Sequence, residues 1–157
     1  MLGVTGDSAS EKKFVPKLAA PGARHPVTRL SSSVKDNALI WSRLGEMDGF
    51  NRNNGLSEGS AALLVHPVER TAGGSPMPVL AVREAGKGRV MSLGVDSSWR
   101  WSFSEAAEGS GNQAYLRFWK NALRWLVADP EDRPVSVSPS RENALIGEEL
   151  VLQAKVR

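Results

Sequence analysis

The densest run of side chains that could do chemistry follows a β-rich segment in the second half of the chain. It consists of Asp96, Ser97, Ser98, Trp99, Arg100 and Trp101. Ligands gather at the carboxyl ends of strands in open α/β sheets, so this is the natural place for a site. One interpretation gives Asp96 and Arg100 polar roles, with the two indoles as walls. The interpretation we favour is structural: Asp96 caps a turn, the indoles pack on the sheet and Arg100 stacks on one of them.

The two histidines, His25 and His66, each precede a proline. Neither is near a pair of carboxylates, and the chain has no cysteine, so no recognisable metal-ligand spacing is present. We therefore predict no metal and no cofactor. His66, at a predicted strand end, is kept only as a candidate ligand contact.

The serines that could be proposed as nucleophiles are Ser97, Ser98 and Ser110. None lies in a Gly-x-Ser-x-Gly elbow, and no histidine follows them in the chain. Gly86-Lys87-Gly88 resembles a phosphate loop only superficially, because it joins two predicted strands instead of preceding a helix. No catalytic residue is predicted.

Charge and composition exclude several classes of partner. Twenty Lys and Arg against seventeen Asp and Glu give a net charge of +3, with no run of five or six basic residues. Nucleic acid is therefore not a predicted partner. The first residues lack the basic and apolar regions of a signal peptide. No stretch approaches the ~18–20 apolar residues that span a bilayer, so we expect a soluble segment without membrane contact of its own.

The first half of the chain predicts few regular elements. Residues 1–24 indicate an irregular lead-in with a short strand at 13–15, and residues 25–30 an extended segment, since a residue before proline avoids the α region. Ser33 and Asp36 have the spacing of a capping box. They predict a helix that carries Trp41 and ends near Gly45.

Residues 46–60 are rich in Asn, Gly and Ser and predict a loop. Residues 61–66 predict a buried strand that ends at Pro67. The runs 79–82 and 89–95 flank a glycine pair and predict a β-hairpin.

The strongest predicted helix is 113–127, ended by Asp129-Pro130. Its apolar side chains at helical spacing are Tyr115, Phe118, Trp119, Ala122 and Leu126, with Arg117, Lys120, Asn121 and Arg124 opposite. This stripe favours core packing over a partner-binding role. The alternating runs 133–138 and 149–156 predict two antiparallel strands around a turn at 143–147. They are typical of the opening of a β-sandwich.

A family resemblance rests on the order of several short motifs. They are His25-Pro26-Val27, Asn37…Ile40-Trp41, His66-Pro67, Pro78-Val79-Leu80-Ala81…Gly86-Lys87-Gly88-Arg89-Val90, Asp96…Trp99-Arg100-Trp101 and Phe118-Trp119…Leu123-Arg124-Trp125-Leu126. Together they resemble the glutamine amidotransferase-like domain of large bacterial membrane-anchored proteins, many of which also carry a von Willebrand factor A domain. The resemblance covers roughly residues 14–128 and is most specific over about 78–126.

The resemblance implies the carboxyl-terminal half of a flavodoxin-like, three-layer class I amidotransferase-like domain over 25–129. An immunoglobulin-like β domain would begin at 134–157. The half with the nucleophile elbow has no counterpart here, so we expect Met1 to be an internal methionine of a longer protein. A half sheet leaves an unpaired edge, which predicts poor solubility or dimerisation.

Departures from the family bear on activity. Class I amidotransferases use a cysteine nucleophile with a His–Glu pair, the histidine lying at a late strand end. This chain has no cysteine, and the matching strand end carries Asp96-Ser97-Ser98. We therefore expect a non-catalytic module that binds other domains or protein partners in the bacterial envelope.

Two alternatives remain open. One is a glutamine-hydrolysing or related enzyme completed by the missing half. The other is a ligand- or carbohydrate-binding module that uses Trp99 and Trp101.

Overall fold

The computed structural model describes residues 4–86, 88–107, 111–128, 135–141, 143 and 145–156. Its strands are β1 (Val4–Ser10), β2 (Lys17–Leu18), β3 (Phe50–Asn53), β4 (Ser60–Arg70), β5 (Pro76–Ala85), β6 (Gly88–Leu93), β7 (Val135–Pro139) and β8 (Leu152–Val156). Its helices are α1 (Val34–Arg43), α2 (Arg100–Ala107) and α3 (Gln113–Leu126), with 3-10 helices at Pro21–Ala23, Pro26–Thr28 and Ser97–Trp99.

The strands form a four-stranded sheet in the order β2-β4-β5-β6 and two ribbons, β1-β3 and β7-β8. Every pairing among the described strands is antiparallel. The chain is therefore a mixed α/β protein with mostly antiparallel sheets and few helices.

The amino-terminal segment is more regular than predicted. Residues 4–10 form β1, which pairs with β3, so the prediction of an irregular lead-in is wrong over this stretch. The strand predicted at 13–15 is reduced to one bridge, in which Phe14 and Met47 exchange main-chain hydrogen bonds of 2.9 and 2.8 Å. The partners of these two segments lie 33 to 49 residues further along the chain, beyond the reach of local sequence patterns.

The segment after His25 is also not extended throughout. His25 has the extended backbone that a following proline requires (ψ 139°), but Pro26–Thr28 turn into a 3-10 helix. The turn is held by Thr28, whose hydroxyl donates to the Gly22 carbonyl at 2.6 Å. A buried hydrogen bond of this kind outweighs the weak local preference for extension.

Two further predictions for the central region are wrong. The predicted loop 46–60 contains β3, because Phe50 is buried in the core and the Asn53 amide donates to the Pro78 carbonyl at 2.9 Å. β4 does not end at Pro67 but continues to Arg70. The β4–β5 register shifts between Val65 and Arg70, and such an irregularity accommodates a proline within a strand.

The elements with strong local signals are confirmed. Ser33 caps α1 by accepting a hydrogen bond from the Asp36 amide at 3.3 Å. β5 and β6 form the predicted hairpin in continuous register from Leu80–Leu93 to Ala85–Gly88. α3 spans the predicted helix, although the predicted stop at Asp129-Pro130 lies outside the described residues.

α3 rests on the core through Ala114, Phe118, Ala122 and Trp125. Its buried stripe is rotated from the predicted one, which leaves Tyr115, Trp119 and Leu126 half-buried at one side. Next to the helix, the Trp41, Trp101 and Phe118 rings meet edge to face, with centroids 5.4–6.1 Å apart. This aromatic cluster joins α1, α2 and α3.

The tail forms the predicted antiparallel pair, with Val137 opposite Ala154 and Pro139 opposite Leu152. Side chains described from 137 to 154 are exposed. A two-stranded ribbon is only marginally stable alone, and the structure describes no second sheet packed on it.

Candidate functional site

Six of the seven candidate residues, 96–101, lie where β6 ends and the chain turns into α2. The 3-10 helix Ser97–Trp99 and the first turn of α2 bring this segment against the loop 45–49, which leads from α1 to β3. We call this junction the clasp: it consists of 96–101 on one side and 45–49 on the other.

Ser97 is the central contact of the clasp. The Asp48 amide donates to the Ser97 hydroxyl oxygen at 2.8 Å, and the hydroxyl donates to the Asp48 carbonyl at 2.6 Å. The residue is 2% exposed. Its proton is therefore held by a main-chain carbonyl, not by a base, and the hydroxyl is not placed as a nucleophile.

Arg100 contacts both sides of the junction. Its guanidinium forms an ion pair with the Asp48 carboxylate at 2.7 Å and lies 5.2 Å from the centre of the Trp99 ring. The arginine stacking expected from the sequence is thus observed. Both charged groups are partly exposed, and such a pair contributes about 0–1 kcal/mol.

The two tryptophans have opposite environments. Trp101 is 0% exposed and donates from its indole nitrogen to the Gly45 carbonyl at 3.2 Å. Trp99 is 50% exposed and meets Phe103 edge to face at 5.9 Å. Trp101 is therefore a core residue, and Trp99 and Phe103 are the large aromatic side chains that the described part of this junction exposes to solvent. Phe103 follows Trp99 by four residues in what becomes a helical turn, a spacing that could have indicated it.

Asp96 is exposed and occupies the cap position of the 3-10 helix without a side-chain capping bond. Its carboxylate lies beside Gly49 instead, where an added Cβ would come within 2.6 Å of Oδ1. Gly49 also has φ +65°, a conformation that favours glycine. Ser98, two residues after Asp96, is buried.

The seventh candidate, His66, lies on β4, outside the clasp. Its Nδ1 accepts hydrogen bonds from the amides of Val68 and Glu69, at 3.2 and 2.9 Å. Its ring packs against Phe14 and Phe50, with centroids 4.2 and 5.2 Å away. Burial lowers the pKa of His66 below its ordinary value, which keeps the ring neutral and Nδ1 free to accept.

No group of three or more His, Asp or Glu residues in the described part of the chain is placed to hold a metal ion. A groove of about 620 Å³ lies between the 54–56 turn, the 71–76 turn and β4. Its lining is small, apolar or uncharged, with Leu56, Val65 and Thr71 among its residues, so it has no acid or base to offer. None of the described helices is long and apolar enough to cross a membrane.

Comparison with known proteins does not assign the chain to a family: no protein-family model, no curated protein and no solved structure matches it.

Proposed function

We propose that this chain is a non-catalytic, glutamine amidotransferase-like module that serves in binding or assembly. The parent would be a multidomain protein of the bacterial envelope. The proposal keeps the flavodoxin-like relationship of residues 25–129 and the immunoglobulin-like assignment of the tail. It is supported by the motif order described above.

The observation that carries the non-catalytic part of the proposal is the double hydrogen bond between Ser97 and the Asp48 main chain. At the strand end where the resemblance implies a catalytic histidine, the chain has a buried serine bound to a loop. The neighbouring Arg100 is paired with Asp48, and Trp101 is in the core. These residues hold two segments together, and none of them is the histidine that the resemblance implies as a base at this strand end.

The test is ammonia release from glutamine, measured with the chain and with the parent protein. We expect no release above buffer, and none in a Ser97→Ala variant. Release by the wild-type parent that is lost on changing one nucleophile would overturn the proposal in favour of the glutamine-hydrolysing alternative.

A second candidate, ligand binding, is favoured by the exposure of Trp99 beside Phe103. Flat aromatic rings at a surface can stack on a sugar or another planar ligand. A ligand at this surface should shift the tryptophan fluorescence of the wild type and of a Leu39→Ala control. The Trp99→Ala variant should not respond. A panel of sugars without effect on the wild type would eliminate this candidate.

A further inference from the structure

β6 is an edge strand of the four-stranded sheet, with β5 as its only described neighbour. Its register with β5 has no bulge, and it contains no proline. The opposite edge of the sheet is the two-residue strand β2. The one charged residue of β6, Arg89, is held on its own molecule by the Glu84 carboxylate and the Trp125 carbonyl. A regular, six-residue edge of this kind is a template for pairing with another strand.

The register identifies the main-chain groups that β6 presents outward. The Gly94 amide donates to the Val79 carbonyl at 2.7 Å, so the Val79–Gly94 pair is hydrogen-bonded towards β5. Bonding direction alternates along an antiparallel strand. Arg89, Met91 and Leu93 therefore direct their amides and carbonyls away from β5. The Gly94 carbonyl accepts a hydrogen bond from the Asn51 amide of β3 at 2.8 Å, so the free edge ends at Leu93.

The helix above this edge, α3, has an apolar side that is partly exposed in the described part of the chain. On the side nearest the 3-10 helix Pro26–Thr28, Arg117 donates to the Leu30 carbonyl and Asn121 to the Arg29 carbonyl, the latter at 2.9 Å. Helical geometry places an apolar set on the other side. We call this set the α3 flank: Leu116, Trp119, Leu123 and Leu126.

The α3 flank combines half-buried and exposed side chains. Trp119 and Leu126 lie partly against the core, whereas Leu116 and Leu123 are 50% and 60% exposed. No charged residue belongs to the set, and the basic side chains of Arg117, Lys120 and Arg124 border it at Leu116. Such a continuous apolar strip beside the core indicates a surface that becomes covered.

The flank and the free edge are on the same side of the molecule. The 3-10 helices before α1 pack beside β4, where Gly22 touches the Leu63 main chain. α3 contacts both that region and β6, and Arg89 of β6 donates to the Trp125 carbonyl at 2.8 Å. β6 is the strand farthest from β2 in the sheet. The 3-10 helices lie on the β2 and β4 side, and the α3 flank faces away from them. The flank therefore lies towards the free edge of β6.

We propose that β6 and the α3 flank form a twofold-symmetric interface with a second copy of this chain. A twofold axis perpendicular to the sheet at Met91 would pair the two β6 strands antiparallel. Met91 would pair with its counterpart and Arg89 with Leu93 of the other copy. The outward amides and carbonyls of all three residues would then be bonded, and the sheet would become continuous across both molecules.

Charge is compatible with a second copy as the occupant. Arg89 would lie opposite a leucine, so no like charges meet across the strands. The axis also keeps both α3 helices on the same face of the joined sheet, where their uncharged flanks meet. The interface is thus complementary to itself, which is the condition for a closed dimer.

The inference names a partner for the assembly role proposed above and in that sense rests on it. The two are separable by experiment. Finding only a monomer would contradict the proposed dimer and would not affect the expectation that glutamine is not hydrolysed. Detecting ammonia release would contradict the non-catalytic role and would not affect the proposed dimer.

Sedimentation velocity over a wide range of concentrations tests the interface. We expect a concentration-dependent dimer whose dissociation constant rises by about tenfold or more in a Leu123→Glu variant. Two negative charges would then face each other across the axis. Leu39→Glu is the matched control, since Leu39 is an exposed leucine of α1, and it should dimerise as the wild type does. Hydrogen exchange at the amides of Arg89, Met91 and Leu93 should slow as the dimer forms.

Two results would overturn the proposal. One is a monomer at every concentration, with the three β6 amides exchanging rapidly. The other is a dimer unaffected by Leu123→Glu but dissociated by Leu152→Glu, which would place the contact on the β7-β8 ribbon instead.

Discussion

At the scale of single residues, the two histidines perform the same task. His25-Pro26-Val27 and His66-Pro67-Val68 share one tripeptide, and in each the Nδ1 atom accepts a hydrogen bond from the amide two residues on. A residue before proline avoids the α region, so both histidines have an extended backbone. In this conformation the imidazole ring reaches the amide two residues further on. His25 caps the 3-10 helix Pro26–Thr28, and His66 accepts from the amides of the irregular part of β4 after Pro67. Each must be unprotonated at Nδ1 to accept these bonds.

Because both histidine rings accept hydrogen bonds in the neutral form, we expect the stability of the folded chain to depend on pH. Burial lowers the pKa of both rings below the ordinary value of 6.5. The unfolded chain therefore binds more protons than the folded one as pH falls through about 6.5. We expect the free energy of unfolding, measured with urea, to have its full value above about pH 6.5. It should decrease as the pH falls from there towards the lowered pKa values of the two histidines in the folded chain.

The asparagine variants supply the control. Asn offers an acceptor oxygen at a position similar to Nδ1 and does not titrate. His25→Asn and His66→Asn should each reduce the dependence on pH, and the double variant should reduce it most, even where lost ring contacts lower stability at every pH. Equal wild-type stability at about pH 7 and about pH 5 would contradict the assignment.

Only part of the site could be read from the sequence. The stacking of Arg100 on a neighbouring indole is a local feature and was anticipated. The partner of Ser97 is Asp48, 49 residues away, and no spacing rule connects them. The difference between a buried Trp101 and an exposed Trp99 likewise depends on which elements pack beside α2.

At the scale of elements, one glycine sets how closely the 3-10 helix Pro21–Ala23 approaches β4. A Cβ on Gly22 would lie 2.0 Å from the Leu63 carbonyl oxygen and 2.8 Å from its carbon. Both are main-chain atoms of a buried strand and cannot move aside. Gly22→Ala should therefore lower the free energy of unfolding by about 1–3 kcal/mol or more, as measured with urea.

Gly73→Ala is the matched control. Its added Cβ would meet only the Thr71 hydroxyl, at 3.9 Å. An ordinary surface substitution of this kind changes stability by no more than about 0.5 kcal/mol. Equal effects at the two glycines would show that the close approach at Gly22 is not a constraint.

The elements differ in how far local sequence determines them. α1, α3 and the β5-β6 hairpin were predictable because a cap, a helical stripe and a glycine turn are each local signals. β1 and β3 were missed because each is stabilised by the other and by the core. The polar composition around Phe50 hides the buried side chain that fixes β3 in place.

At the scale of the whole molecule, the β7-β8 ribbon has one apolar face and one polar face. Val137, Pro139, Leu152 and Ala154 share one side, with Ser138 and Gln153 on the other. Val137 and Leu152 are well exposed. An apolar face of this kind on so small a sheet indicates a surface for further strands.

Because this apolar face is exposed, we expect the β7-β8 ribbon to bind an apolar dye in the context of the whole chain. A Val137→Thr, Leu152→Thr double variant should bind less of the dye than the wild type. Its thermal midpoint should be unchanged, since neither side chain contributes to the core. The control double variant, Ser138→Thr with Gln153→Thr, should change neither the dye binding nor the thermal midpoint. Undiminished dye binding in the first variant would show that the ribbon face is covered.

The clasp has a consequence for the lifetime of the folded state. The Ser97–Asp48 contact closes a long loop that includes β3, β4, β5 and β6, and contacts of such separation are entropically costly to form early. We expect it to form after the sheet, so Ser97→Ala should accelerate unfolding and leave the folding rate nearly unchanged. Stopped-flow measurements in urea can separate the two rates. A slowed folding rate would instead place the contact in the folding nucleus. If unfolding alone is accelerated, the Ser97–Asp48 contact controls how long the folded chain persists and not how fast it forms.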